Sequence, residues 1–166
     1  MATKIFTYDG SYSSFINSLG VIERDRKAAI TLASKGDYHL AFIQFRRTCN
    51  AIPRLPQGYK THVDILREIT YQMKENFERS CKEAIESHYQ AMHDVLARAK
   101  KGEEVTELFN YSFEEHAHDM ERFANLSSKI MLADIIVENL CTTGVMSDAR
   151  LNQVESIFAE PAPNST

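Results

Sequence analysis

Apolar side chains recur at helical spacing along most of the chain. They lie three or four residues apart in five stretches, which begin near residues 15, 38, 61, 113 and 148. This period places them on one side of an α-helix, whereas a half-buried strand would show strict alternation. The pattern predicts an all-α fold, a helical bundle of five to six helices with an N-terminal antiparallel hairpin and a long third helix.

The first two stretches predict the hairpin. Helix one should end at Lys35-Gly36, because glycine adopts the left-handed conformation of a helix cap without steric cost. Asp37 can then cap helix two, which we expect Pro53 and Pro56 to end. A turn this short makes the two helices antiparallel neighbours.

The third stretch predicts a helix from Thr61 to Lys100, followed by the stop Lys101-Gly102. An unbroken helix of this length would span about 60 Å at 1.5 Å per residue. Such a length exceeds a small bundle. The helix therefore either breaks between Phe77 and Cys81 or pairs with later helices.

The C-terminal half shows a capping box at Ser112-Phe-Glu-Glu115, which predicts a helix from Phe113 to Thr142 after a short turn at 103–108. Residues 130–141 are apolar on most of the circumference, so we expect them to form the central core helix. Ser147 or Asp148 should cap a last helix, and residues 161–166 should form a frayed tail. The whole chain, 1–166, is predicted to be one helical domain, with the hairpin and third helix in 15–80 and a C-terminal helical region in 81–160.

Composition narrows the class of protein. The chain is 43% hydrophobic and 25% charged, as in globular proteins, and no apolar stretch reaches the roughly 18 residues that a membrane span needs. Cys49, Cys81 and Cys141 are odd in number and lie far apart, which favours buried reduced thiols. We therefore expect a soluble cytoplasmic protein without a membrane span.

Charge is distributed unevenly between the two halves. Residues 1–74 carry 11 Lys and Arg against 6 Asp and Glu, a net +5, and residues 75–166 carry 8 against 17, a net −9. This asymmetry is compatible with an acidic partner, with contact between the halves, or with self-association as a homodimer. Nucleic-acid binding through the basic N-terminal half is an alternative function, but acidic residues are interleaved with the basic ones and the second half would repel phosphate.

Two metal hypotheses arise from the histidines and carboxylates. Glu115-x-x-His118 matches half of the Glu-x-x-His pattern of di-iron bundles, but no second copy occurs, and His88 and His93 are about 140° apart around a helix. We therefore predict no metal and no cofactor.

The second hypothesis is enzymatic. Glu83-x-x-Glu86 followed by Glu115-x-x-His118 loosely resembles the paired motifs with which all-α nucleotide pyrophosphohydrolases hold magnesium. In this sequence a histidine replaces the oxygen ligand that Mg²⁺ prefers. A magnesium-dependent pyrophosphohydrolase remains an alternative function, and we predict no catalytic residue.

A stretch in the predicted hairpin carries a family resemblance. Residues 35–53, reading KGDYHLAFIQFRRTCNAIP, resemble the second half of a tetratricopeptide repeat, with Ala41 at the small crossing position, Phe45 at the packing aromatic and Pro53 at the closing proline. Asp25 and Thr48 depart from the family pattern, and there is no second copy. One such hairpin with a third helix, over residues 15–80, is similar to a microtubule-interacting and trafficking (MIT) domain.

The resemblance implies recognition of a short peptide or helix, often acidic, in a groove between helices. We therefore expect a non-enzymatic protein-binding module, an adaptor, chaperone-like protein or scaffold. The expected partner-binding residues are the basic side chains on and after helix two: Arg46, Arg47, Arg54, Lys60 and Arg67.

Overall fold

The computed structural model describes residues 12–51 and 56–159, and within these ranges the chain is all-α, as predicted. Five helices are described. They are α1 (Tyr12–Ser34), α2 (Tyr38–Ala51), α3 (Pro56–Lys100), α4 (Thr106–Thr143) and α5 (Asp148–Ile157). None of these helices is long and apolar enough to cross a membrane.

The two predicted glycine stops are confirmed. Gly36 has a φ of 92° and Gly102 a φ of 86°. After α1 the amide of Asp37 donates to the carbonyl of Leu32 at 2.9 Å, and after α3 the amide of Glu103 donates to the carbonyl of Arg98 at 3.2 Å. These six-to-one bonds pair carbonyls that a helix end leaves unsatisfied, so each helix stops where the sequence indicates.

Contacts divide the chain into two units. The core unit contains the chain up to Asn76 and again from Ile130, and the hairpin unit is Phe77–Lys129. Each unit therefore takes one part of α3 and one part of α4. This division does not test the prediction of one domain. The boundaries of the two units, after Asn76 and after Lys129, differ from the predicted boundary between residues 80 and 81.

The core unit buries the faces that the helical spacing predicted. Ala29 and Ala33 of α1 pack with α2, whose stripe includes Phe45. Leu66 of α3 and Leu140 of α4 are also fully buried. The last helix, α5, adds its own buried Leu151 and Val154 and lies against α2.

One polar residue of α3 ties the first two helices in place. The Asn76 side-chain amide donates to the carbonyl of Ser34 at the end of α1, at 2.9 Å. The hydroxyl of Tyr38, at the start of α2, donates to Asn76 Oδ1 at 2.5 Å. A Cβ at Gly36 would lie 3.4 Å from the same oxygen, so this turn is in van der Waals contact with α3.

The hairpin unit is an antiparallel pair formed by the end of α3 and the start of α4. Phe77 contacts Phe123 edge to face, with ring centroids 6.1 Å apart, and His88 bonds to Asp119. Residues that come later in α3 thus face residues that come earlier in α4. Of the open alternatives for the third helix, the structure shows a continuous helix, not one broken near Phe77.

Two predicted boundaries were wrong. Pro56 does not end a helix but begins α3, because the first helical position needs no amide proton and suits the fixed φ of proline. The chain also forms one helix from Thr106 onward, so Ser112 is a buried residue inside α4 and not a cap. Glu115 accepts instead from the Tyr111 hydroxyl at 3.1 Å.

The prediction for residues 130–141 was correct for only one side of the helix. Ile130, Val137 and Leu140 are buried, but Met131 and Ile135 are exposed. The described neighbours cover one side of this segment, so its apolar circumference is not enclosed. At the last helix, Ser147 is the predicted cap, and its side chain accepts from the amide of Arg150 at 3.3 Å.

Candidate functional site

A polar pair lies between the two helices of the hairpin unit. His88 Nε2 is 2.8 Å from Asp119 Oδ2, and Arg122 Nη2 is 3.4 Å from Asp119 Oδ1. The hydrogen bond from His88 and the nearby Arg122 hold the pKa of the Asp119 carboxyl below its usual value. His116 places its ring 4.9 Å from that of His88.

A shallow, open depression of about 400 Å³ lies beside this pair. It is lined by one side of α4: Tyr111, Glu114, Glu115, His118 and Asp119. Within residues 12–51 and 56–159, no group of three or more His, Cys, Asp or Glu side chains is placed to hold a metal ion. In the described part of the chain, the side chains that line the depression therefore do not form a complete ligand set for a di-iron site or for a magnesium site.

The predicted partner-binding residue Arg46 contacts the chain's own last helix. Its guanidinium lies 3.5 Å from Asp148 and 3.3 Å from Glu155, and it donates to the Asn152 side chain. The ring of Phe158, just after α5, stacks on the ring of Phe42 at 6.0 Å. The charge of Arg46 is therefore paired with carboxylates of its own chain.

The other predicted basic residues whose side chains the structure describes lie on two different helices and are exposed. Arg47 is exposed on α2, and Arg67 is exposed on α3, beside the Cys141 thiol. Arg54 and the side chain of Lys60 lie outside the described residues. A role for these side chains in binding a partner stays a prediction.

The cysteines are free, as expected, but Cys49, Cys81 and Cys141 are only partly buried. Burial raises the pKa of Cys49 to about 12, so its thiolate is strongly disfavoured at neutral pH. Burial likewise raises the pKa of the other two thiols. None of the three is therefore an activated nucleophile.

The most extensive feature of the hairpin unit is a row of exposed apolar side chains on each helix. Tyr89 is 69% exposed, and Ile85 and Phe113 are each 56% exposed. We call the combined surface the apolar face; its exposed large members are Ile85, Tyr89 and Leu96 on α3 and Phe109, Phe113 and Met120 on α4, with the half-buried Met92 among them. The rings of Phe109 and Phe113 stack with centroids 6.3 Å apart.

Helix geometry places the two rows on the same side of the hairpin. On each helix the row is displaced by roughly 90°, in the same rotational sense, from the residues that face the other helix. The facing residues are marked by His88 and Val95 on α3 and by Ser112 and Asp119 on α4. Because the helices are antiparallel, equal rotations in one sense bring both rows to one side, with the groove between the helices along its centre.

The opposite side of the hairpin has the reverse character. It carries one large exposed aromatic residue, Tyr111. Its other side chains are mainly polar: Ser80, Glu83, Ser87, Gln90 and Asp94 on α3, and Glu115, His118, Arg122 and Asn125 on α4. Scattered exposed apolar residues are normal on a protein surface, but an apolar row confined to one side is typical of an interaction surface.

Sequence reasoning missed this face, although the signal is present in the sequence. Ile85, Tyr89 and Leu96 follow one another at intervals of four and seven residues, beside a second helical series that runs through Ala84, His88 and Val95. Two adjacent apolar stripes on one helix indicate two contact surfaces, one for each neighbour.

Compared with models of protein families, with curated proteins and with solved structures, the chain matches none of them. The resemblance to a tetratricopeptide hairpin and to an MIT module therefore stays a prediction.

Proposed function

We propose that this protein is a non-enzymatic protein-binding module, a scaffold or adaptor that takes a partner helix into the groove between α3 and α4 on the apolar face. The single observation that carries the proposal is the concentration of large exposed apolar side chains on one side of the hairpin unit. An amphipathic helix that docks in a hydrophobic groove uses anchors at this same spacing of three and four residues.

The small interior of the hairpin unit supports the same function. All residues of this unit are described, and among them only Val95 and Ser112 are buried. Two helices in contact along one seam bury little apolar surface, and most helical stability in proteins comes from packing of an amphipathic face. A third or fourth helix on the apolar face would supply the missing contact.

The basic N-terminal half supports nucleic-acid binding less well. Several of its cations are already engaged by carboxylates within the chain. Arg26 pairs with Glu68, Arg46 with Asp148 and Glu155, and Lys74 with Asp134 at 2.8 Å. A paired cation must give up its carboxylate before it can release counterions from a nucleic acid, so the charge of this half overstates its affinity for phosphate.

A site-specific photo-crosslink tests the proposal. A benzophenone amino acid placed at Tyr89, on the apolar face, should yield a covalent adduct with a protein in the native source. The matched control is the same amino acid at Gln90, the next residue, on the polar side. We expect an adduct from position 89 that Phe113→Glu abolishes, because a buried unpaired carboxylate opposes docking.

Two results would contradict the proposal. Adducts that are the same from both positions would show contact without a specific face. The absence of an adduct from position 89, with position 90 also negative, would show that no protein occupies the groove.

A further inference from the structure

We propose that the partner at the apolar face is a second copy of this chain, so that two α3–α4 hairpins pack face to face as a four-helix bundle. This inference rests on the proposed function and names its partner. It follows from the charges that border the face, from the size of the face and from the shortage of buried contacts in the hairpin unit.

A pair of opposite charges borders the apolar face. Lys82 lies on the α3 edge, which also carries Glu86, and Glu121 lies on the outer side of α4. A two-fold axis parallel to the helices turns one hairpin over onto the other. It places the α3 edge of one copy against the α4 edge of the second copy, so that Lys82 of each copy lies on the side of Glu121 of the other.

The contacts within the hairpin show which residues of α3 and α4 lie at the same level, that is, at the same height along the helix axes. Phe77 lies beside Phe123 and His88 beside Asp119, so Lys82 lies at about the level of Glu121. An axis parallel to the helices preserves this level. Lys82 of one copy therefore faces Glu121 of the second copy, and the symmetry generates the same pair again on the other edge.

The size of the face agrees with that of a stable interface. Each helix of the hairpin unit is about 35 Å long at 1.5 Å per residue, and two helices side by side are about 20 Å wide. The projected area is about 700 Å², close to the roughly 800 Å² that each partner buries in a standard interface. The assembly would enclose Ile85, Tyr89 and Phe113 between four helices, as the interior of a bundle requires.

The experiment is sedimentation equilibrium of the purified full-length protein from about 1 to 100 μM. The expected species is twice the 19.0 kDa chain mass. Tyr89→Glu should raise the dimer Kd more than tenfold, because it places a carboxylate inside the interface. The matched control Gln90→Glu adds the same charge one residue away, on the polar side, and should leave the Kd unchanged.

A charge exchange tests the orientation. Lys82→Glu alone and Glu121→Lys alone should each raise the Kd about tenfold, since each disturbs two symmetry-related pairs. The double variant, Lys82→Glu with Glu121→Lys, restores both pairs and should return the Kd to within about twofold of the original. Far-UV circular dichroism confirms that each variant keeps its helices, so a change in mass reports association.

Three outcomes would overturn the inference. A monomer at every concentration removes the second copy, a dimer that ignores Tyr89→Glu places the contact elsewhere, and a double variant that stays dissociated rejects the pairing of Lys82 with Glu121. The proposed function fails separately: a monomeric chain that still gives a Tyr89-specific adduct with another protein retains the function and loses only this partner.

Discussion

The core unit and the hairpin unit are built from the same two long helices, yet they bury very different amounts of side chain. In the core unit, α3 places Ile65, Leu66, Ile69 and Met73 in full burial within three turns. In the hairpin unit the same helix buries only Val95. The difference comes from the number of neighbours: α1, α2 and α5 belong to the core unit, and the hairpin unit has only α3 and α4.

This comparison shows that apolar periodicity indicates how many apolar faces a helix has. It does not indicate whether other helices cover those faces. Leu66 and Leu96 both lie on α3 within apolar stripes, but the first is fully buried and the second is 52% exposed. A stripe in the core unit is matched by helices of the same chain. A stripe of similar composition in the hairpin unit is exposed, because no described helix covers it. Both proposals rest on this exposure.

The largest expected effect distinguishes these two leucines. Leu66→Ala should lower the free energy of unfolding by about 2–5 kcal/mol, because it leaves a cavity in a packed core. Leu96→Ala, the same change on the same helix, should cost less than about 1 kcal/mol in dilute protein. Urea unfolding followed by circular dichroism measures both values. Equal losses would mean that the hairpin unit is packed as tightly as the core unit.

A smaller effect is expected where α5 meets the core unit. Arg46→Glu places a carboxylate against Asp148 and Glu155, and should weaken the protection of α5 amides from hydrogen exchange by about 1 kcal/mol. Arg47→Glu adds the same charge at the exposed neighbouring position and should have little effect. If both variants release α5 equally, the contacts of Arg46 do not hold this helix.

The core unit should also be sensitive to acid through His62. This side chain is buried, neither ring nitrogen has a hydrogen-bond partner, and desolvation lowers its pKa below the ordinary value of 6.5. The unfolded chain therefore binds a proton more readily than the folded one. Stability should fall as the pH drops below about 6.5 and continue to fall toward the lowered pKa.

His62→Leu removes the titratable group and places an apolar side chain against Phe45, whose ring lies 6.2 Å from that of His62. Unfolding measured between pH 7.5 and pH 5 should show a weaker dependence on pH in the variant. A dependence identical to that of the unaltered protein would assign the acid sensitivity to other groups.

The smallest effect concerns the polar pair of the hairpin unit. The pKa of Asp119 is lowered mainly by its hydrogen bond with His88, so the stabilising contribution of this pair is present at neutral pH and is lost as the pH falls through the lowered pKa. His88→Ala should raise the Asp119 pKa toward its usual value, as measured by carboxyl carbon NMR. The control His93→Ala, at an exposed position on the same helix, should leave that titration unchanged.

Much of the fold could be predicted from local patterns because helix formation depends on nearby residues. The left-handed glycines Gly36 and Gly102 end α1 and α3, and Ser147 caps α5, as the sequence indicated. Ser112 shows the limit of such rules. Its capping motif requires non-helical backbone, but Ser112 is instead buried in the interior of α4, in a helix that begins at Thr106.

The candidate site was harder to predict, because exposure depends on which elements pack together. The spacing of Ile85, Tyr89 and Leu96 is visible in the sequence, but it does not reveal that no described helix covers them. Arg46 shows the reverse case: as a cation on a helix it resembled a binding residue, and only the position of α5 revealed its carboxylate partners.

The sequence by itself determined that this protein is α-helical, where several of its helices stop, and which faces of those helices are apolar, since these properties follow from local propensity and from a period of 3.6 residues. The tertiary structure decided which apolar faces are buried and which cations are paired. These outcomes depend on contacts between residues far apart in the chain, such as Tyr38 with Asn76 and Arg46 with Glu155. The apolar face of the hairpin unit is a large apolar surface that no described helix covers.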